Sequence, residues 1–198
     1  MALTFDAEHP DRPWCPPGNA ERILETLEAK GVRATFFVQG RWAEAHPELA
    51  KRIDSAGHLI GNHSYYHARL PLLHDDGVRT DVHDGQEAIA AATGIDPRPW
   101  FRCPFGSGHD DARILGLLAG LGYRNVYWNV AGEDWEPWRT GPDVTASVVD
   151  GVAEVGDGAV VLLHTWPGGT ADAVGPILDR LGRAGATFVR VDELESLP

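Results

Sequence analysis

Short apolar runs alternate with helical segments along the chain, and this alternation limits the folds that are open to it. Strands that alternate with helices pair in parallel, because each helix returns the chain to the edge where the previous strand began. The run "AVVLLH" is apolar until its last residue, which is typical of a strand buried on both faces. Seven runs have the pattern of strands: 2–5, 34–38, 58–63, 99–104, 123–130, 159–164 and 187–191.

The segments between these strands have the spacing of amphipathic helices. In 17–31, Ile23, Leu24 and Leu27 share one face and Gly31 ends the pattern. We therefore expect an α/β fold with a parallel sheet, either closed into a barrel or open and doubly wound. No GxGxxG motif follows the first strand, so nothing in the sequence supports a dinucleotide-binding fold.

Polar residues stand at the ends of five predicted strands. These residues are Asp6, His63, Arg102, Asp134 (close to its strand end) and His164. In β/α barrels the carboxyl ends of the strands form one rim, and the active site lies there. The sequence therefore predicts that these five side chains meet at one site.

The stretch "HSYYH" places His63 and His67 four residues apart. The chain has 9 histidines in 198 residues, so a chance pair at this spacing is common. On a helical turn, residues i and i+4 lie on one face, and we expect the pair on such a turn. Two imidazoles with a carboxylate and water are typical of a hydrolytic metal site.

Charge and length exclude some classes of function. With 17 basic and 29 acidic residues the net charge is −12, which disfavours nucleic acids and anionic membrane surfaces as partners. No run approaches the ~20 apolar residues of a membrane span.

We expect a single domain over 1–198. The start "MALTF" lacks a signal peptide, so the chain as written is expected in the cytoplasm; a chain trimmed at its N-terminus would fit an extracellular or cell-wall protein.

Five short motifs in fixed order resemble those of the NodB-homology polysaccharide deacetylases, carbohydrate esterase family 4. They are "LTFDAEHP", "HSYYH", "RCPFG", "GEDW" and "VVLLH", and they span Thr4 to His164. The resemblance implies a distorted (β/α)7 barrel with one divalent metal. It also implies hydrolysis of an N- or O-linked acetyl group on a sugar polymer or oligomer. Zinc is expected from the ligand types, and cobalt or nickel would also fit.

The first motif departs from the family at one position. The family usually has two adjacent aspartates, a catalytic base and then a metal ligand, and here they correspond to Asp6 and Ala7. Alanine cannot bind a metal, so Glu8 is the predicted third ligand in a D-x-E variant of the motif. A site with two histidines and extra water stays open. His9 is a weaker candidate and is more readily interpreted as a histidine on the rim.

The resemblance also assigns roles around the reacting group. Asp6 would be the general base, with Arg102 beside it to stabilise its charged form. His164 would be the general acid, with Asp134 orienting its ring. The alternatives to these roles are structural: Arg102 would form an ion pair that only stabilises the fold, and His164 would be a core residue.

Several apolar and aromatic residues are candidates for substrate binding. Leu162 resembles the family's wall for the acetyl methyl group, and Trp135 resembles its groove wall. Phe105 would place a backbone N–H near the oxyanion. Core packing is the alternative for each of the side chains. Aromatic residues that could stack on sugar rings are Tyr66, Tyr65, Trp14, Trp138 and Trp166.

The sequence thus predicts a metal-dependent carbohydrate deacetylase and does not choose among chitin oligomers, peptidoglycan and acetylxylan. The segment "DAEHPDRPWCPPG" departs most from the family and is expected to determine specificity. Two alternatives stay open. One is a hydrolase of small, non-polymer amides on the same barrel, and the other is a non-catalytic carbohydrate-binding remnant. The oligomeric state is not indicated.

Overall fold

The structure, a computed structural model, describes residues 1–9, 15–195 and 197. Its centre is a parallel sheet in the order β5-β4-β3-β2-β1-β7-β6. The sheet curls into a half-barrel with helices around it, so the expected distorted (β/α)7 fold is confirmed. The strands are β1 (Ala2–Ala7), β2 (Thr35–Val38), β3 (Leu59–Asn62), β4 (Trp100–Phe101), β5 (Arg124–Asn125), β6 (Val130–Ala131) and β7 (Val160–His164).

Strands β1 and β7 are neighbours in the barrel wall, and every residue of both is buried. Their parallel register pairs Thr4 with Leu162 and Asp6 with His164. Phe5 points to the helical side, where its ring stacks on Phe36 of β2 at 5.1 Å between centroids. Alternate residues of one strand therefore separate the packed core from the barrel interior.

The helices bury one face each against the sheet. The α5 N-terminus is capped by the Asp111 carboxylate, which accepts hydrogen bonds from the N–H groups of Arg113 and Ile114. The long α4 ends at Gly94, whose φ of 81° suits glycine. The helices are α1 (Asn19–Ala29), α2 (Gly40–Ala45), α3 (Pro47–Ser55), α4 (Asp75–Thr93), α5 (Ala112–Gly120), α6 (Gly141–Val155) and α7 (Gly168–Arg183).

The predicted strand at 123–130 is instead two short strands at opposite edges of the sheet. The Val126 N–H donates to Phe101 O at 2.7 Å, next to β4, whereas the Asn129 N–H donates to Val160 O at 3.1 Å, next to β7. The segment thus crosses the gap in the barrel between its two edges. A single strand cannot pair with both edges, so the strand splits into β5 and β6.

The predicted last strand, 187–191, is wrong. This segment forms no strand but runs beside the start of β1, where the Met1 ammonium donates to Thr187 O and the Val189 N–H donates to Met1 O, each at 3.0 Å. The Val191 N–H then donates to Thr35 Oγ1. The segment covers the amino-terminal end of the barrel, away from the predicted site.

Among the residues that the structure describes, none of the helices combines the length and the apolar character that a membrane crossing requires.

Candidate active site

The carboxyl ends of the strands bring the predicted polar residues to one rim, as the sequence predicted. Asp6 and His164 are paired in register on β1 and β7. His63 directly follows β3, and Arg102 directly follows β4. Asp134 lies three residues after β6 and reaches His164. All five side chains are buried.

Glu8, His63 and His67 form a compact cluster of possible metal ligands, with one donor atom from each within 4.8 Å of the others. The Nε2 atoms of the two histidines are 3.1 Å apart. Glu8 Oε2 lies 2.5 Å from His67 Nε2 and 3.6 Å from His63 Nε2. His9 also reaches the cavity, but its Nε2 lies 3.1 Å from Arg41 O, and it is not part of this cluster.

The protonation of the cluster fits a metal ion. His63 Nδ1 lies 2.8 Å from Arg102 O, and a carbonyl only accepts, so Nδ1 has the proton and Nε2 offers a lone pair. Glu8 Oε2 is buried and has no hydrogen-bond partner of regular geometry among the described residues. Burial alone would raise the pKa of Glu8, but the surrounding His63, His67 and His164 hold that pKa well below its usual range. Two imidazole nitrogens and a carboxylate suit a divalent ion with open positions for water.

The histidine pair does not lie on a helical turn, and that expectation was wrong. His63 to His67 form a loop in which Ser64 and His67 have φ of 60° and 62°, in the left-handed region. The Ser64 hydroxyl accepts a hydrogen bond from the His67 N–H. The loop curls back on itself, and this brings the two Nε2 atoms together.

Two side chains that the sequence did not single out hold this loop. Asp81 of α4 is buried, and its Oδ1 accepts hydrogen bonds from the N–H groups of Tyr65 at 3.2 Å and Tyr66 at 2.7 Å. Asn62 Oδ1 accepts from the Ser64 N–H at 2.9 Å. Because α4 lies far along the chain from the loop, no short motif marks Asp81.

Arg102 is fully buried and fixes Asp6. Its Nη1 donates to Asp6 Oδ1 at 2.8 Å and to Thr4 Oγ1 at 2.7 Å, and its Nε donates to Val126 O. Its guanidinium also lies over the Phe37 ring, 4.1 Å from the centroid. This leaves Asp6 Oδ2, at 3.4 Å from His63 Nε2, directed toward the metal-ligand cluster.

Asp134 orients His164. Its Oδ1 lies 2.8 Å from His164 Nδ1, and its Oδ2 accepts hydrogen bonds from the His164 N–H and from the Thr170 hydroxyl. Burial would lower the pKa of His164, but the charge and hydrogen bond of Asp134 outweigh it and raise that pKa to about 9. His164 Nε2 faces Glu8, 3.9 Å from Oε1.

Four of these residues, Asp6, Glu8, His67 and His164, line a cavity of about 430 Å³. Leu162, only 3% exposed, lies on the same side of β7 as His164. The Trp166 Nε1–H donates to Glu8 Oε1 at 3.1 Å. The other predicted residues in the wall are Trp135 and Phe105. Trp128 and Arg69 also line the cavity and were not predicted, because only the folded loops show which rim residues face inward.

Some predicted aromatic residues lie elsewhere. Tyr66 is 63% exposed, and neither it nor Tyr65 is among the described residues that line the cavity. Trp138 is also exposed and outside the cavity wall. Trp14 lies outside the described residues. Phe105 has a φ of 58°, and its ring packs 4.3 Å from that of His67.

The sequence matches known deacetylases. The family model described as polysaccharide deacetylase matches residues 1–126. A peptidoglycan-N-acetylglucosamine deacetylase of Bacillus cereus is 32% identical over an alignment of 198 positions that covers 98% of this chain and 67% of that protein. A chitooligosaccharide deacetylase of Rhizobium leguminosarum bv. trifolii is 33% identical over 196 residues, which are 98% of this chain and 80% of that protein.

Solved structures share the fold. A family 4 carbohydrate esterase from Streptomyces lividans, in complex with acetate, matches with a TM-score of 0.81 and 30% identity over 96% of this chain and 90% of that chain. A family 4 pseudoenzyme from Bacillus anthracis matches with a TM-score of 0.83 and 29% identity over 98% and 64%. Together with the match to the family model, these similarities show that the chain belongs to the polysaccharide deacetylase family.

Proposed function

We propose that this chain is a metal-dependent hydrolase that removes N- or O-linked acetyl groups from a carbohydrate. One observation is the main support: Asp6 and His164 both border the ligand cluster, with Asp6 Oδ2 3.4 Å from His63 Nε2 and His164 Nε2 3.9 Å from Glu8 Oε1. A candidate base and a candidate acid thus lie next to the place where a metal would hold the acetyl group. Zinc is the proposed ion, because two imidazoles and one carboxylate are a common zinc ligand set in hydrolases.

When bound, a divalent ion at this cluster supplies Lewis acidity toward the acetyl carbonyl and makes its water more acidic. The chain's own residues supply the proton transfers. Asp6 is anchored through Oδ1 by Arg102, so its Oδ2 accepts the proton of the attacking water. The fixed carboxylate faces one direction only, which favours one line of attack.

His164 is placed to protonate the leaving group. A proton on Nδ1 is held by Asp134 Oδ1, so Nε2 is the atom that delivers a proton into the cavity. The raised pKa, about 9, keeps the ring protonated at neutral pH. The leaving sugar amine or alkoxide takes this proton as the bond to the acetyl carbon breaks.

The cavity wall offers a place for the acetyl methyl group. Leu162 is buried two residues before His164 on β7, and Trp135 packs edge-on against the His164 ring at 5.7 Å between centroids. The backbone N–H of Phe105 remains the proposed oxyanion donor. We propose that sugar rings stack on the wall residues Trp128 and Trp166.

The relatives guide the choice of test substrates. They are named for peptidoglycan N-acetylglucosamine and for chitooligosaccharides. The purified chain is incubated with acetylated chitooligosaccharides, peptidoglycan fragments and acetylxylan, with and without zinc or cobalt, and released acetate is measured. Metal-dependent acetate release that is lost in Asp6→Asn supports the proposal. Amide hydrolysis of a small cyclic substrate, without acetate release from any sugar, would favour a small-amide hydrolase instead.

A non-catalytic carbohydrate-binding role is the second candidate, and two observations favour keeping it. Ala7 stands where the family usually has its second aspartate, and a pseudoenzyme is among the similar structures. A mutant of that pseudoenzyme with restored enzymatic activity matches with a TM-score of 0.85. Glycan binding without turnover by the zinc-loaded chain would select this role.

A further inference from the structure

Arg69 lies in the wall of the catalytic cavity. Among the described residues that line it, Arg69 is the only arginine or lysine. Its guanidinium carbon lies 4.2 Å from the centroid of the Phe105 ring, and that ring lies 4.3 Å from the ring of the metal-ligand candidate His67. The Phe105 ring therefore contacts both the cation and a candidate metal ligand.

The Phe105 platform under Arg69 is held in place. Phe105 has a φ of 58°, a left-handed conformation that a phenylalanine adopts only where its surroundings impose it. The backbone around it is tied by hydrogen bonds from the Gly106 N–H to Cys103 O and from the Ser107 N–H to Pro104 O, each at 2.9 Å. The ring thus holds the guanidinium at a defined place on the rim.

The guanidinium has no anionic partner within the described part of the chain. Its side chain makes no ion pair there, whereas the exposed Arg98 and Arg113 pair with Asp96 and Asp75. Its N–H donors are open to a group in the cavity, and a guanidinium matches a carboxylate with two parallel hydrogen bonds. A neutral sugar offers hydroxyl and amide oxygens to these donors but no anionic acceptor.

The acidic character of the chain makes a local cation on the cavity wall favourable for an anionic substrate. Asp6 and Glu8 line the same cavity, and the chain has a net charge of −12. The net charge disfavours the approach of a carboxylate, and a cation on the cavity wall compensates for it locally. Arg69 supplies that charge beside Phe105, whose ring contacts His67.

We infer that Arg69 recognises a carboxylate on the acetylated sugar, so that the preferred substrate is an acidic N-acetyl sugar. This inference rests on the proposed function and adds the substrate class. With the acetyl group at the His67 side, a carboxylate on a neighbouring ring carbon reaches the guanidinium above Phe105. Two classes of sugar have this chemistry. In N-acetylmuramic acid the carboxylate is attached through an ether to the ring carbon next to the acetamide, and in an N-acetylhexosaminuronic acid it is part of the sugar itself.

The test compares matched substrates in the zinc-loaded enzyme. Peptide-free glycan strands containing N-acetylmuramic acid are assayed beside the same strands with amidated carboxylates, and N-acetylhexosaminuronic acid oligosaccharides beside their amides. The variants are Arg69→Gln and Arg69→Lys, with Arg124→Gln as control, since Arg124 is another exposed arginine near an aromatic ring (Trp100, 5.4 Å) but outside the cavity wall. KM and kcat come from released acetate, and Kd for each glycan comes from calorimetry.

The wild type is expected to prefer the carboxylate form, and Arg69→Gln is expected to reduce that preference about tenfold through KM or Kd, the low end for a charge-assisted hydrogen bond. Arg69→Lys keeps part of the preference, and Arg124→Gln keeps all of it. The preference of the wild type for the carboxylate over the amide form is compared between the two acidic sugars, and the sugar with the larger preference is identified as the source of the carboxylate. Equal affinity of the wild type for the carboxylate and amide forms overturns the inference. Acetate release from neutral chitooligosaccharides upholds the proposed function in that case, and calorimetry tests Arg69 even if no acetate is released.

Discussion

Asp6 and His164 are paired in register on adjacent parallel strands, so the sheet itself fixes the spacing between the candidate base and the candidate acid. Each is held from behind by a different buried group, Asp6 by Arg102 and His164 by Asp134. His164 ends β7 and Asp6 is the last residue but one of β1, and all other residues of both strands are buried. The proposed roles of Asp6 as base and His164 as acid therefore depend on backbone pairing and on two buried partners. Each partner can be tested separately.

Replacing Asp134 by Asn is expected to lower kcat by about 10²–10⁴-fold, the range for losing a correctly held acid–base group. The asparagine cannot hold the His164 proton on Nδ1 with a charge, so the ring loses its orientation. Zinc affinity should stay unchanged, because Asp134 does not contact the ligand cluster. Thr170→Val, which removes only one hydrogen bond to Asp134, is the milder comparison. A full kcat in Asp134→Asn would remove His164 from the proposed role.

Replacing Glu8 by Ala tests the third metal ligand. Zinc affinity should fall by more than about 100-fold, beyond the loss that a residue behind the ligands causes. His9→Ala is the matched control, because His9 lines the same cavity outside the ligand cluster. Competition with a fluorescent zinc chelator gives both affinities. If His9→Ala loses more affinity than Glu8→Ala, the assignment of the third ligand is wrong.

Asp81 should act on the metal site without touching it. Asp81→Ala leaves the Tyr66 N–H without its acceptor and the Tyr65 N–H with only the Asp81 backbone oxygen, and the loop between the two histidines loosens. We expect zinc affinity to fall about 10–100-fold, whereas Asp81→Asn keeps one acceptor oxygen and most of the affinity. Calorimetry on both folded variants is the measurement. Wild-type affinity in Asp81→Ala would show that the loop holds its shape alone.

His58 makes stability depend on pH at the opposite end of the barrel. Burial, with the nearby Arg190 and Arg33, lowers its pKa from 6.5 to about 4, and its Nδ1 accepts a hydrogen bond from the Ala34 N–H. The unfolded chain therefore binds this proton first, so the stabilisation is complete above pH 6.5 and is lost as pH falls through about 4. The loss reaches at most about 3 kcal/mol.

The matched variant is His58→Asn, which keeps an acceptor for Ala34 and cannot gain the proton. Urea unfolding of both proteins across this pH range measures the free energy of unfolding. The wild type should lose more stability than the variant on acidification. Parallel curves would mean that His58 keeps an ordinary pKa in the folded protein.

The alternation of strands and helices was enough to predict the parallel sheet and the rim that holds the site, because both depend on local periodicity. The predictions that failed depend on contacts between residues that are far apart in the sequence. The segment 123–130 splits because Phe101 and Val160 at opposite edges both bond to it. The loop of His63 and His67 has its shape from Asp81 on a distant helix. Neither contact leaves a pattern that a short stretch of sequence could reveal.

The most direct test of the account is a zinc titration of the metal-stripped chain. The protein is treated with a chelator, dialysed, and assayed for acetate release from an N-acetylated glycan as zinc is added back. The account predicts no acetate release before addition, a linear rise, and saturation at one zinc per chain. Two results would contradict the account. One is acetate release at the full rate by the metal-stripped chain, and the other is zinc bound at Glu8, His63 and His67 without any acetate release from the substrates tested.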